Sequence, residues 1–128
     1  MSEAGDIPIK IEIFGVTTLD GFIDRIYAPL TADAILYKMP FVMRGRFSFG
    51  SKNYWTLPGL GLREGMNPKS TKTGEKGDLL YNPKTDELII VIENLEMPNK
   101  VNKIGKVMIN EEILNARNGL NTKIFKVK

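Results

Sequence analysis

Two guanidinium groups stand close together in an otherwise apolar stretch, Phe41-Val42-Met43-Arg44-Gly45-Arg46-Phe47-Ser48-Phe49. On a strand, successive side chains point to opposite faces. Phe41, Met43, Gly45, Phe47 and Phe49 then share one face, and Val42, Arg44, Arg46 and Ser48 share the other. The aromatic face belongs in a core. The arginines point outward, where their planar forks can donate to a carbonyl or carboxylate. The plainer reading of the same pair is a solvated strand face. Tyr54 and Trp55 follow on the next apolar stretch. One of them must face outward if that strand is regular, and an indole or phenol there makes a ligand platform as readily as a core residue. Tyr81 carries the same ambiguity. A groove lined by Arg44, Arg46, Tyr54 or Trp55, and Tyr81 would set hydrogen-bond donors between apolar walls.

Other chemistries fall away on residue type. The chain has no cysteine, no histidine and no glutamine. That removes cysteine nucleophiles, thiolate or imidazole metal sites, the Ser-His-Asp triad and histidine acid–base catalysis. The carboxylates are scattered rather than spaced like a calcium loop, so no dedicated metal site and no cofactor is expected. Gly59-Leu60-Gly61-Leu62-Arg63-Glu64-Gly65 resembles a dinucleotide loop, but its third glycine comes one residue late and no helical pattern follows. Lys69 to Lys76 lacks the Gly-Lys-Ser/Thr ending of a phosphate-binding loop. Glu111 and Glu112 are adjacent, so on a helix they do not face each other, and a role in its first turn accounts for them.

The elements that must position these residues read mostly as strands. Ile7 to Phe14 alternates apolar and polar residues. Leu19-Asp20-Gly21 predicts a tight turn and Phe22 to Tyr27 a returning strand. Thr31 predicts an N-cap, with Leu30 as a hydrophobic staple and Asp33 in the first turn of a helix over 32–38 that stops before Pro40. Phe41–Phe49, Tyr54–Leu57, Asp78–Tyr81, Glu87–Glu93, Lys103–Ile109 and Thr122–Val127 read as further strands. Asn110 predicts the cap of a second helix over 111–117, with Gly119 past its end. Pro58 to Lys76, with four glycines and no period, predicts a loose loop bordering the groove. Ile11, Ile13, Phe47, Leu80, Ile90 and Ile124 are the expected core. About eight strands at short spacing suggest a barrel or sandwich.

A chain of 128 residues suits one domain, and 42% hydrophobic with 26% charged residues is ordinary for a globular protein. Residues 1–6 read as an acidic tail and 7–128 as the domain. The acidic start is unlike a signal peptide, and the longest apolar stretch, Leu88 to Ile92, is far short of a membrane helix. A cytoplasmic location without membrane contact is therefore expected. The net charge of +3 argues against nucleic acid as a partner. Residues 97–128, however, hold seven basic and two acidic residues, which keeps a nucleic-acid-binding barrel as a third reading.

Three stretches resemble the small prokaryotic cyclophilin-like family of single-domain proteins. They are Pro29-Leu30-Thr31-Ala32-Asp33-Ala34-Ile35-Leu36 followed by Met39-Pro40; Lys76-Gly77-Asp78-Leu79-Leu80-Tyr81-Asn82-Pro83 leading into Glu87 to Ile92; and Val101-Asn102-Lys103-Ile104-Gly105-Lys106-Val107. Together they span most of residues 7–127. The family's Gly-Asp segment usually continues Trp-Pro-Pro-Gly, where this chain has Asn82-Pro83-Lys84-Thr85. The resemblance implies a closed β-barrel of about eight strands with two short helices over its ends. It directs attention to prolyl isomerisation, whose barrier of about 18–20 kcal/mol falls when a guanidinium hydrogen-bonds the prolyl nitrogen in the twisted transition state. Arg44 is the candidate for that role. Enzymatic cyclophilins add a histidine and a glutamine, and this chain has neither. The expectation is a binding module that holds a peptide or small ligand in an outer groove without efficient catalysis. A weak peptidyl-prolyl isomerase is the alternative.

Overall fold

The computed structural model describes residues 6–48 and 50–127. Most of the expected tail and Phe49 lie outside the described residues, while Asp6 already belongs to the first strand. The architecture is mostly β and antiparallel, with one α-helix. In chain order it comprises β1 (Asp6–Ile13), β2 (Thr17–Asp24), α1 (Pro29–Lys38), β3 (Phe41–Arg44), β4 (Arg46–Phe47), β5 (Tyr54–Leu57), β6 (Thr71–Gly74), β7 (Asp78–Asn82), β8 (Glu87–Val91), β9 (Leu95–Val107), a short 3-10 helix (Glu111–Asn115) and β10 (Asn121–Lys126).

The ladders run in the order β3-β10-β1-β2-β9-β7-β8-β5-β4, with β6 attached to β9 beside this path. The expected closed ring of ladders is therefore corrected to an open path. Its two end strands, β3 and β4, are successive pieces of the single strand read from the sequence, split at Gly45. Up to Gly45 the chain follows β10 and its lead-in, with the Gly45 N–H donating to the Leu120 carbonyl (2.9 Å) and its carbonyl accepting from the Gly119 N–H (2.7 Å). From Arg46 onward it pairs with β5. The change of partner happens where Trp55 lies against the backbone. A Cβ on Gly45 would fall 2.2 Å from Trp55 Nε1, so only glycine fits.

The first hairpin turns at residues 14–16, not at Asp20-Gly21. Gly21 lies inside β2, opposite Val107, where an added Cβ would meet the Lys106 carbonyl at 2.4 Å. This glycine serves close strand approach rather than a turn. The helix also starts earlier than expected. Pro29 occupies its first turn, as its fixed φ and missing N–H allow. Thr31 is thereby inside the helix and buried, and Leu30 is exposed rather than a staple. Asp33 instead pairs with Arg25 on the surface, at 2.6 and 2.9 Å. The expected second helix over 111–117 is only the short 3-10 turn, with no side-chain cap bond from Asn110.

Two apolar clusters result. The larger gathers Ile9, Ile11 and Ile13 of β1, Ala32 and Ile35 of α1, Trp55, Leu79, Tyr81, Ile90 and Ile124. Phe47 meets Trp55 edge-to-face, with centroids 5.0 Å apart, a geometry worth about 0.5–1.5 kcal/mol beyond burial. The smaller cluster holds Leu80, Ile89, Val91, Met97 and Val101 on the opposite face of β7 and β8. Those two strands are thus covered on both sides, which is why they read as continuous apolar runs rather than alternating ones. All six expected core residues are buried. Among the described residues no helix is long and apolar enough to cross a membrane.

Candidate functional site

Of the residues expected to line one groove, Arg46 and Tyr54 come together beside Glu87, while Trp55 and Tyr81 turn into the core. Arg44 and Arg46 are exposed on the outer face, as the alternation requires, and Arg46 reaches Glu87 at 3.5 Å. Trp55 is fully buried, and its indole N–H donates to Thr122 Oγ1 at 3.1 Å, across the split end of the ladder path. Tyr54 faces the other way, half-buried against the smaller cluster. Burial, with the Glu87 carboxylate adding to it, raises its hydroxyl pKa. Tyr81 is buried inside the larger core.

Tyr81 instead serves a clamp. Its hydroxyl donates to Asp86 Oδ1 at 2.5 Å and accepts from the Glu64 N–H at 3.3 Å. Asp86 also accepts from the backbone N–H groups of Gly61, Leu62 and Arg63. Burial, reinforced by the bond to Asp86, pushes the Tyr81 hydroxyl up to about 12. Burial alone would raise Asp86, but the Tyr81 hydroxyl and the three backbone donors outweigh it and hold the carboxyl below its ordinary value. A second clamp sits nearby. Buried Asn102 accepts from the Asn67 N–H (2.9 Å) and donates to Thr31 Oγ1 (3.1 Å) and the Gly65 carbonyl (2.9 Å). The stretch from Pro58 is therefore pinned at two points and ends in β6, which corrects the expectation of a loose loop.

A cleft of about 590 Å³ opens elsewhere, where β8 and β9 end beside the 3-10 helix. Ile92, Ile109 and Leu114 form its apolar wall, while Lys76, Glu93 and Glu111 bring charges of both signs to its lining. Its walls are fixed by local bonds. The Ile92 and Glu93 N–H groups both donate to the Asn53 carbonyl, and the Lys76 N–H donates to Asn94 Oδ1 at 2.7 Å. Lys52 Nζ holds the Leu114 carbonyl at 2.8 Å. Asn110 lines the cleft, and its Nδ2 donates to Thr17 Oγ1 at 2.9 Å. Its Oδ1 is buried and has no hydrogen-bond partner among the described residues. A buried acceptor left unpaired costs roughly 1–3 kcal/mol, so a ligand N–H placed there would recover that cost. The sequence reading missed this site because Asn110 reads as a helix cap and because the wall residues come from separate stretches. No group of three or more candidate metal ligands occurs among the described residues.

With fold and cleft defined, comparison places the architecture. The chain is similar to the solution structure of the hypothetical protein AF2241 from Archaeoglobus fulgidus, with a TM-score of 0.77 and 16% identity over 99% of this chain and all of that one. It is also similar to McbB, solved in complex with tryptophan, with a TM-score of 0.71 and 12% identity over 91% of this chain. The match spans 44% of the McbB chain. At these identities the likeness shows a shared fold. No family model and no curated protein matches the chain.

Proposed function

We propose that this protein is a cyclophilin-like binding module, its ladder path acting as a barrel seamed at Gly45, that holds a peptide or small amine-bearing ligand without efficient catalysis. The binding groove is the cleft beside the 3-10 helix rather than the face of Arg44 and Arg46. The observation that carries this is a ligand-sized cleft with an apolar wall, lined by Asn110, whose Oδ1 lies buried behind that lining with no hydrogen-bond partner among the described residues. A ligand N–H bonds to that oxygen, an apolar side chain lies on Ile92, Ile109 and Leu114, and Glu93 and Glu111 attract an ammonium while Lys76 attracts a carboxylate. McbB, the larger protein of the same fold, holds tryptophan, which combines such groups. Arg44 does not line this cleft, which weighs against isomerase chemistry there.

Titration followed by amide NMR, with free tryptophan and with a blocked Ala-Pro-Phe peptide, tests the reading. Shifts should cluster at Ile92, Asn94, Asn110 and Leu114 and be lost in Asn110→Ala. Shifts confined to other regions, or none, would overturn it. Accelerated cis–trans exchange of the same peptide, abolished by Arg44→Ala in a folded protein, would instead establish the isomerase.

A further inference from the structure

Asp78 belongs to the Gly-Asp segment singled out in the sequence, and the clamps and cleft leave it unused. Its side chain is fully buried at the start of β7. Oδ2 accepts from the Glu75 N–H at 3.0 Å, while Oδ1 has no hydrogen-bond partner among the described residues. Two ammonium groups approach that oxygen, Lys103 at 3.5 Å and Lys106 at 3.4 Å. One would neutralise it. The second over-compensates Asp78, and the buried carboxylate holds together two lysines that would otherwise repel.

Around Asp78 lies a groove of about 240 Å³, floored by Tyr27 and bordered by Thr71 and Thr73 of β6. Lys69 reaches the Tyr27 ring from one strand connection, with Nζ 5.9 Å from the centroid, and Lys103 reaches it from β9 at 5.7 Å. Two cations thus gather on one ring. The acidic groups nearby are partly committed: Asp24 Oδ1 accepts from the Ile26 N–H, and Glu75 is an exposed rim residue. The groove is separate from the cleft at Asn110, with Glu75 lining one and Lys76 the other.

We propose that this groove is an oxyanion site, in which Lys69 and Lys103 clasp a phosphate or carboxylate carried on a flat apolar group that stacks on Tyr27. An anion between the two ammonium groups relieves their mutual repulsion, and the hydroxyls of Thr71 and Thr73 lie where they can donate to its remaining oxygens. The ring supplies the apolar contact that a bare ion lacks.

Amide NMR titrations of the whole chain with inorganic phosphate, phenyl phosphate and benzoate test this. Phenyl phosphate should shift Tyr27, Lys69, Thr71, Thr73 and Lys103 and bind more tightly than inorganic phosphate. Benzoate at the same residues with equal affinity would mark a carboxylate source; weaker binding would mark a phosphate source. Lys69→Gln and Lys103→Gln should each weaken binding roughly two- to fivefold, the range of one exposed charge contact. Lys69 is exposed, so its variant should fold normally. Asn110→Ala should leave these shifts unchanged. Shifts spread evenly over all surface lysines, or retained in the Lys69→Gln/Lys103→Gln double variant, would overturn the proposal.

Discussion

Asn102 and Asn110 carry the same side-chain amide, and the fold treats them differently. Asn102, in β9, has its oxygen filled by the Asn67 N–H and its nitrogen bonded to Thr31 and Gly65. Both N–H directions and one lone pair of the oxygen are used, and the result is a rivet between helix, strand and loop. Asn110, just past β9, spends its nitrogen on Thr17 and leaves its oxygen buried and empty beside a cleft. A satisfied buried amide contributes stability and specifies one arrangement, whereas a half-satisfied one stores a binding preference at the expense of stability.

Breaking the rivet should have the largest effect. Asn102→Ala strands the Asn67 N–H, the Gly65 carbonyl and the Thr31 hydroxyl, and should cost about 2–4 kcal/mol in urea unfolding. The Asp86 clamp comes next. Asp86→Asn keeps a residue tolerant of the positive φ of 56° found there. It removes the charge that four donors share, for a loss of about 2 kcal/mol. The wild type should show the same dependence with pH. The Asp86 pKa is lowered from 3.8 by folding, so its contribution is complete above that value and disappears as pH falls through the lower folded one. Tyr81 gives the alkaline counterpart. Its pKa is raised from 10.0 to about 12, so stability should fall as pH rises across that interval, and Tyr81→Phe should reduce the alkaline slope to the part that Tyr54 contributes while costing about 1 kcal/mol at neutral pH. Asn110→Ala should be smallest in stability, within about 0.5 kcal/mol, because the lost bond to Thr17 is offset by removal of an unpaired acceptor. A loss as large as that of Asn102→Ala would erase the distinction between rivet and site.

Local alternation made much of the fold legible. The outward arginines and the inward Phe47 follow from period alone. What failed depended on distant partners. Asp20-Gly21 looks like a turn until Lys106 is seen beside it, and the front of β9 reads as a loop because Pro98 interrupts it. That proline falls in a stretch where the pairing with β6 slips from Val101 to Glu96. Gly45 gives no local sign that the strand changes neighbours. The site was less legible still. Trp55 and Tyr81 turn inward because Thr122 and Asp86 offer their polar atoms a partner inside. The cleft at Asn110 and the groove at Asp78 each draw on segments far apart in the chain, so no spacing in the sequence announces them.

Trp55 is the chain's one tryptophan, and it lies at the place where the ladder path is not continuous. Its indole, carried by β5 at one end of the path, lies against Gly45 and bonds Thr122 of β10 at the other. The molecule therefore carries its own optical gauge. Emission should be blue-shifted while the seam is shut. Any opening there should redden it before the amide hydrogens of β7 and β8 begin to exchange with solvent, so that fluorescence and hydrogen exchange together would time the seam against the centre of the sheet.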